Sequence, residues 1–230
     1  GANAREWTAC DAALRADVVL RGRLFALLGG STALGDHLVS HPDRWRRLTA
    51  AAPDACTDVA TRTAALLTAV GADPDAPPAG AQGGAVASLR NGDAVAALRT
   101  AYRDEMLALA AADLAAVSEP SLPILPLEDV AAQLADLATA ALRAALAVAL
   151  AETDGAVTTE SGGRLAVIAM GKTGGAELNY VSDVDVVFVA EPHDGAEEVA
   201  ALHTAALLAS RMMQVCGEVA WPVDAALRPE

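Results

Sequence analysis

Two aspartates separated by one valine, Asp183-Val184-Asp185, open the apolar run VVFVA. On a strand, positions two apart point to the same side. Both carboxylates would then emerge together, their Cα atoms roughly 6.5–7 Å apart. Val184, Val186 and Phe188 would occupy the other face and pack against helices. Two like charges at the start of a buried strand are costly unless something positive sits between them. A divalent cation is the simplest candidate, because hard Mg2+ prefers carboxylate oxygen and keeps several waters for substrate phosphates. A solvated strand end, or an aspartate pair capping a helix, is the commoner explanation of such a pair on its own.

Two further features favour the cation. Gly174-Gly175 lies shortly upstream, where bare backbone N–H groups could meet phosphate oxygens. Asp224 lies in WPVDAALRPE, on a later candidate strand. If the two strands are neighbours, three carboxylates converge on one edge, the layout of a two-metal site. The nearby Gly171-Lys172-Thr173 resembles the end of a phosphate-binding P-loop, but that loop needs a glycine five positions before the Gly-Lys pair, where Ala166 stands. No long helical pattern begins at Lys172 either. His37 and His41 are four residues apart, as in some metal-binding helices, but Pro42 follows at once and no third ligand is visible.

Composition bounds the partners. The 230 residues carry a formal charge of −14, with 53% hydrophobic and 3% aromatic residues. Clustered Lys/Arg for gripping a phosphate backbone is missing, which argues against a nucleic-acid partner. Lys172 is the single lysine. Cys10, Cys56 and Cys216 have no C-x-x-C spacing, which suggests neither a disulfide framework nor zinc and fits a reducing cytoplasm. The N-terminus has no apolar signal core. The most apolar helical run, Leu134 to Leu150, holds Asp136 and Arg143 and is rich in alanine, so it reads as a buried helix and the chain as having no membrane partner.

The elements that must position the aspartates follow from periodicity. Residues 5–28 predict one helix ending at Gly29-Gly30; Ser31 caps a second, closed by Pro42; a third pattern runs from Asp54 to Val70. Residues 71–84 read as a Pro/Gly linker or a mobile loop. Long helices follow over roughly 93–117 and from Glu128 or Asp129 to about Glu152. The pattern then changes: strands over Arg164–Met170 and Val184–Ala190, a helix over Ala196–Cys216 stopped by Gly217, and a third strand over Val219–Leu227, weakened or placed at an edge by Pro222. The expected fold class is α+β: a helical region, 1–155, followed by a small mixed-sheet core, 156–230. Trp7, Trp45 and Trp221 read as core or interface residues.

GKTGGAELNYVSDVDVVFV followed by VDAALRPE resembles the polymerase-β-like nucleotidyltransferase superfamily, with its Gly-Gly, Asp-x-Asp and third Asp. More closely, Gly171–Asp185 and Val223–Pro229 resemble two motifs of the bifunctional glutamine synthetase adenylyltransferase family, which attaches and removes AMP on glutamine synthetase. LLGGSTALGDHLVSHPDRW and LRTAYRDEMLALAAADL resemble its helical segments. The resemblance implies that Asp183, Asp185 and Asp224 bind Mg2+ or Mn2+ and carry catalysis. It makes Gly174, Gly175, Ser182, Lys172 and Arg228 candidate phosphate or nucleotide contacts; for Ser182 a turn cap, and for Lys172 and Arg228 a surface salt bridge, are the alternatives. Glu177 is expected to support the turn. Asn179 and the long helical region suit the adenylyl-removing half, in which inorganic phosphate attacks adenylyl-tyrosine and ADP leaves. The ATP-dependent adding half, a fragment that only binds glutamine synthetase or a regulator, and a small-molecule nucleotidyltransferase are the alternatives; the helical segments argue against the last. Implied partners are glutamine synthetase and a PII-type signalling protein. Because the chain ends directly after the third motif, it is expected to be a piece of a longer enzyme.

Overall fold

The computed structural model describes residues 2–51, 57–76, 84–153 and 162–225. The predicted helix over 5–28 is instead two, α1 (Ala2–Ala16) and α2 (Val18–Gly30). The apolar period runs through the break, but local hydrogen bonds win. The Asp17 carboxylate accepts from Leu20 N (3.0 Å) and Ala50 N (3.0 Å), while Arg21 Nη1 donates to Leu14 O (2.8 Å) and caps the end of α1. Ser31 caps α3 (Thr32–Ser40) as expected, through Leu34 N. Pro42 then opens a 3-10 helix, Pro42–Leu48. Helix α4 (Val59–Ala69) starts later than periodicity suggests, because Asp58 caps it through Thr61 N. Asp54 and Cys56 lie outside the described residues, as do 77–83 of the predicted linker. The long helices α5 (Asn91–Ser118) and α6 (Leu127–Glu152) match expectation.

The chain forms two compact units, and neither is one contiguous stretch. The change at residue 155 therefore marks where sheet begins along the chain; helices before it cluster with the sheet. The first unit joins Gly1–Thr57 to Arg103–Val130. Its core holds Cys10, Leu20, Leu24, Leu27, Leu38, Trp45, Leu48 and Leu107. A buried polar cluster crosses it: His37 Nε2 lies 2.8 Å from Asp104 Oδ1, and Arg44 Nε donates to the same carboxylate at 2.9–3.0 Å. The His37 and His41 rings lie 4.6 Å apart, and His41 Nδ1 is 3.2 Å from the His37 carbonyl. The histidine pair is thus spent on local structure. Trp45 is buried, whereas Trp7 is exposed on α1.

Burial pushes the His37 imidazole below its ordinary value, against the pull of Asp104; His41 and Arg103 act with burial. The unfolded chain then binds a proton that the folded chain resists. Stability from this group is full above about pH 6.5 and falls as pH drops through it. The expected result is a thermal midpoint that declines below about pH 6.5, with a shallower decline in His37→Gln, which keeps a donor but does not titrate.

The second unit joins Asp58–Tyr102 to Ala131–Glu230. Three strands, β1 (Gly163–Ala169), β2 (Val184–Pro192) and β3 (Val223–Asp224), form a mixed sheet in the order β1-β2-β3. The molecule is therefore α+β. A one-turn helix, α7 (Gly171–Gly174), follows β1, and α8 (Glu198–Val219) connects β2 to β3. Strand β1 is antiparallel to β2, so a loop connection suffices; β3 is parallel to β2 and needs the helical crossover. Helix α8 buries Ala201, Thr204, Leu208, Met212, Val215 and Val219 at three- and four-residue spacing.

Two boundaries differ from expectation. Gly217 lies inside α8 rather than capping it; the helix continues because Val219 and Trp221 are buried beyond it, which outweighs the roughly 1 kcal/mol cost of a mid-helix glycine. Strand β3 is described for two residues only, preceded by Pro222, whose carbonyl accepts from Val184 N at 3.3 Å. Residues 226 and 227 of the predicted strand lie outside the described residues. Trp221 Nε1 donates to Tyr102 Oη at 3.1 Å, which ties the approach to β3 to α5.

By length and composition α6 and α8 are apolar enough to cross a membrane. In α6, 72% of the apolar window is buried within the protein, as expected for a core helix. Burial also raises the thiol of Cys10, and that of Cys216 to about 12, so both stay protonated and unreactive.

Candidate active site

Register brings the aspartates together. In the parallel β2–β3 pair, Val184 faces Val223 and Asp185 faces Asp224. Val184 and Val186 are buried, and Phe188 is half-buried. Alternation therefore sends Asp185 to the opposite face of the strand. Asp183 stands immediately before β2. One carboxylate oxygen from each of Asp183, Asp185 and Asp224 lies within 4.8 Å of the other two. Asp183 is exposed, and Asp185 and Asp224 are half-buried. Among the described residues, Asp183 and Asp185 form no ion pair with Lys or Arg.

Such a cluster repels itself unless a cation joins it. Its donors are all carboxylate, with neither sulfur nor imidazole. That set suits a hard divalent ion such as Mg2+ or Mn2+ better than zinc.

The segment between β1 and β2 frames this edge. Met170 N donates to Asp185 O at 2.9 Å, carrying the β1–β2 pairing one residue further. Helix α7 is a single turn, so no P-loop helix follows Gly171-Lys172-Thr173. Gly174 N donates to Met170 O (2.9 Å) and Gly175 N to Gly171 O (3.0 Å). The two amides expected to meet phosphate are thus already committed inside the turn. Gly174 is required there for packing: a Cβ on it would lie 2.4 Å from the Ala169 carbonyl. At position 177 the backbone N–H donates to Lys172 O at 2.8 Å and closes the turn, a bond that does not involve the Glu177 side chain.

Thr173 and Leu178 are buried and pin the segment, while Lys172 and Asn179 are exposed and Ser182 is half-buried. Lys172 forms no ion pair among the described residues. Arg228 lies outside the described residues.

The family model described as glutamate-ammonia ligase adenylyltransferase matches residues 22–230. The chain belongs to this adenylyltransferase family. The match covers the helical region as well as the aspartate edge, which agrees with the resemblance carried by Gly171–Asp185 and Val223–Pro229. A Nocardia farcinica protein named bifunctional glutamine synthetase adenylyltransferase/adenylyl-removing enzyme is 51% identical over 98% of the chain and 21% of its own length. Proteins of the same name from Mycobacterium bovis and Mycolicibacterium smegmatis are each 46% identical, over 97% and 98% of the chain. The chain spans about a fifth of the length of these adenylyltransferase relatives.

Proposed function

We propose that the aspartate edge is a metal-dependent nucleotidyl-transfer site that removes AMP from adenylylated glutamine synthetase. The observation that carries this reading is the convergence of Asp183, Asp185 and Asp224 oxygens within 4.8 Å on one sheet edge. These three carboxylates would hold Mg2+ or Mn2+. When bound, the ion supplies positive charge for the transferring phosphoryl group and the attacking oxygen. A phosphate oxygen bonds to the phosphorus of adenylyl-tyrosine, the bond from phosphorus to the tyrosyl oxygen breaks, and that oxygen regains a proton. ADP and unmodified tyrosine are the products.

The chain's own residues supply placement and charge. The parallel β2–β3 register sets Asp185 beside Asp224. Lys172, exposed on the turn, offers a cation to incoming phosphate, and Ser182 and Arg228 are further candidate contacts. Asn179, together with the long helical region ahead of the motif, supports the removing direction. We place the reaction in the cytoplasm, with glutamine synthetase as the substrate protein and a PII-type protein as candidate regulator.

The test is to incubate the chain with adenylylated glutamine synthetase, Mg2+ and inorganic phosphate. Phosphate-dependent ADP release is expected. AMP incorporation from ATP instead would reverse the assigned direction, and tight binding to glutamine synthetase without turnover would reduce the role to recognition.

A further inference from the structure

Gly171 does more than leave the strand. Its φ is +52°, in the region that favours glycine. A Cβ built on it would lie 2.6 Å from Asp185 Oδ2, with Asp185 Cγ at 3.5 Å and Cβ at 3.8 Å. Only the far oxygen of the aspartate is too close. The backbone around both residues is fixed, because Met170 N holds Asp185 O at 2.9 Å and Gly175 N holds Gly171 O at 3.0 Å. An added methyl therefore cannot retreat, and the carboxylate must rotate instead.

We infer that Gly171 is a positioning residue for the metal site: its missing side chain leaves the space in which the Asp185 carboxylate turns toward Asp183 and Asp224. This rests on the metal reading above. Gly195 provides the matched comparison. Its φ is +84°, so an alanine there meets similar backbone strain, but nothing lies within 4 Å of its Cβ.

Mn2+ alone is the probe, and its binding to the purified chain is followed by loss of the free-ion paramagnetic resonance signal. Gly171→Ala is expected to weaken binding by about 10- to 100-fold, the range seen when a metal ligand loses its supporting contact. Gly195→Ala is expected to bind like the unsubstituted chain. Equal affinity in Gly171→Ala and the unsubstituted chain overturns the inference and leaves the metal site standing. No Mn2+ binding by the unsubstituted chain overturns the metal reading and this inference with it. Should Gly171→Ala fold too poorly for the titration, urea midpoints of Gly171→Ala, Asp185→Ala and the double variant decide. The φ strain is common to both backgrounds, so the alanine is expected to cost less stability where the Asp185 oxygen is gone, and an equal cost overturns the inference.

Discussion

Asp185→Asn is expected to lower the proposed metal-dependent AMP removal by about 10²-fold or more while leaving the fold intact. The substitution keeps shape and removes one charge from a cluster whose oxygens lie within 4.8 Å of one another. Relief of like-charge repulsion predicts an unchanged or slightly higher thermal midpoint in metal-free buffer. With Mg2+ the order reverses, because an ion that binds only the folded state stabilises the unsubstituted chain in proportion to its affinity. Thermal scans with and without Mg2+ therefore separate a lost ligand from a damaged fold. A variant that lost midpoint equally in both buffers would place Asp185 in a structural role.

Asp104→Ala is expected to destabilise the first unit by about 2–3 kcal/mol, measured as a lower urea midpoint. The carboxylate serves two partners from different elements, His37 on α3 and Arg44 on the 3-10 helix. Removing it takes the partner from the His37 ring nitrogen, whose side chain is 1% exposed. Arg44 keeps a third of its side chain exposed and still reaches Asp43 at 2.6 Å, so its share of the loss is screened. For that reason the value stands below the full cost of an orphaned buried charge. Asp104→Asn, which can still accept a hydrogen bond, is expected to lose less.

Much of the candidate site was legible in the sequence because its logic is local and alternating. Asp183, Asp185 and the apolar Val184-x-Val186 declared a two-sided strand, and a helical pattern separated it from the candidate strand of Asp224; that the two strands are parallel neighbours came only with the structure. The long helices α5 and α6 were legible for the same reason: sustained period, clear breakers at each end. What the sequence hid depends on contacts through space. Asp17 breaks a continuous apolar period because Ala50, 33 residues away, shares its carboxylate. Gly217 reads as a stop, yet the helix passes through it to bury Val219. Gly174 and Gly175 read as free phosphate donors, but a one-turn helix consumes both amides. Gly171 carried no visible link to Asp185, since the two meet only once β1 and β2 pair. The signal available was a glycine directly after a strand and ahead of the aspartate pair.

The most direct test of a metal-dependent transfer site is anomalous diffraction from crystals of this chain soaked in Mn2+. One or two strong peaks are expected within coordination distance of Asp183, Asp185 and Asp224 oxygens, and their loss in Asp185→Asn crystals. Ordered carboxylates with no peak between them at saturating Mn2+ would contradict it.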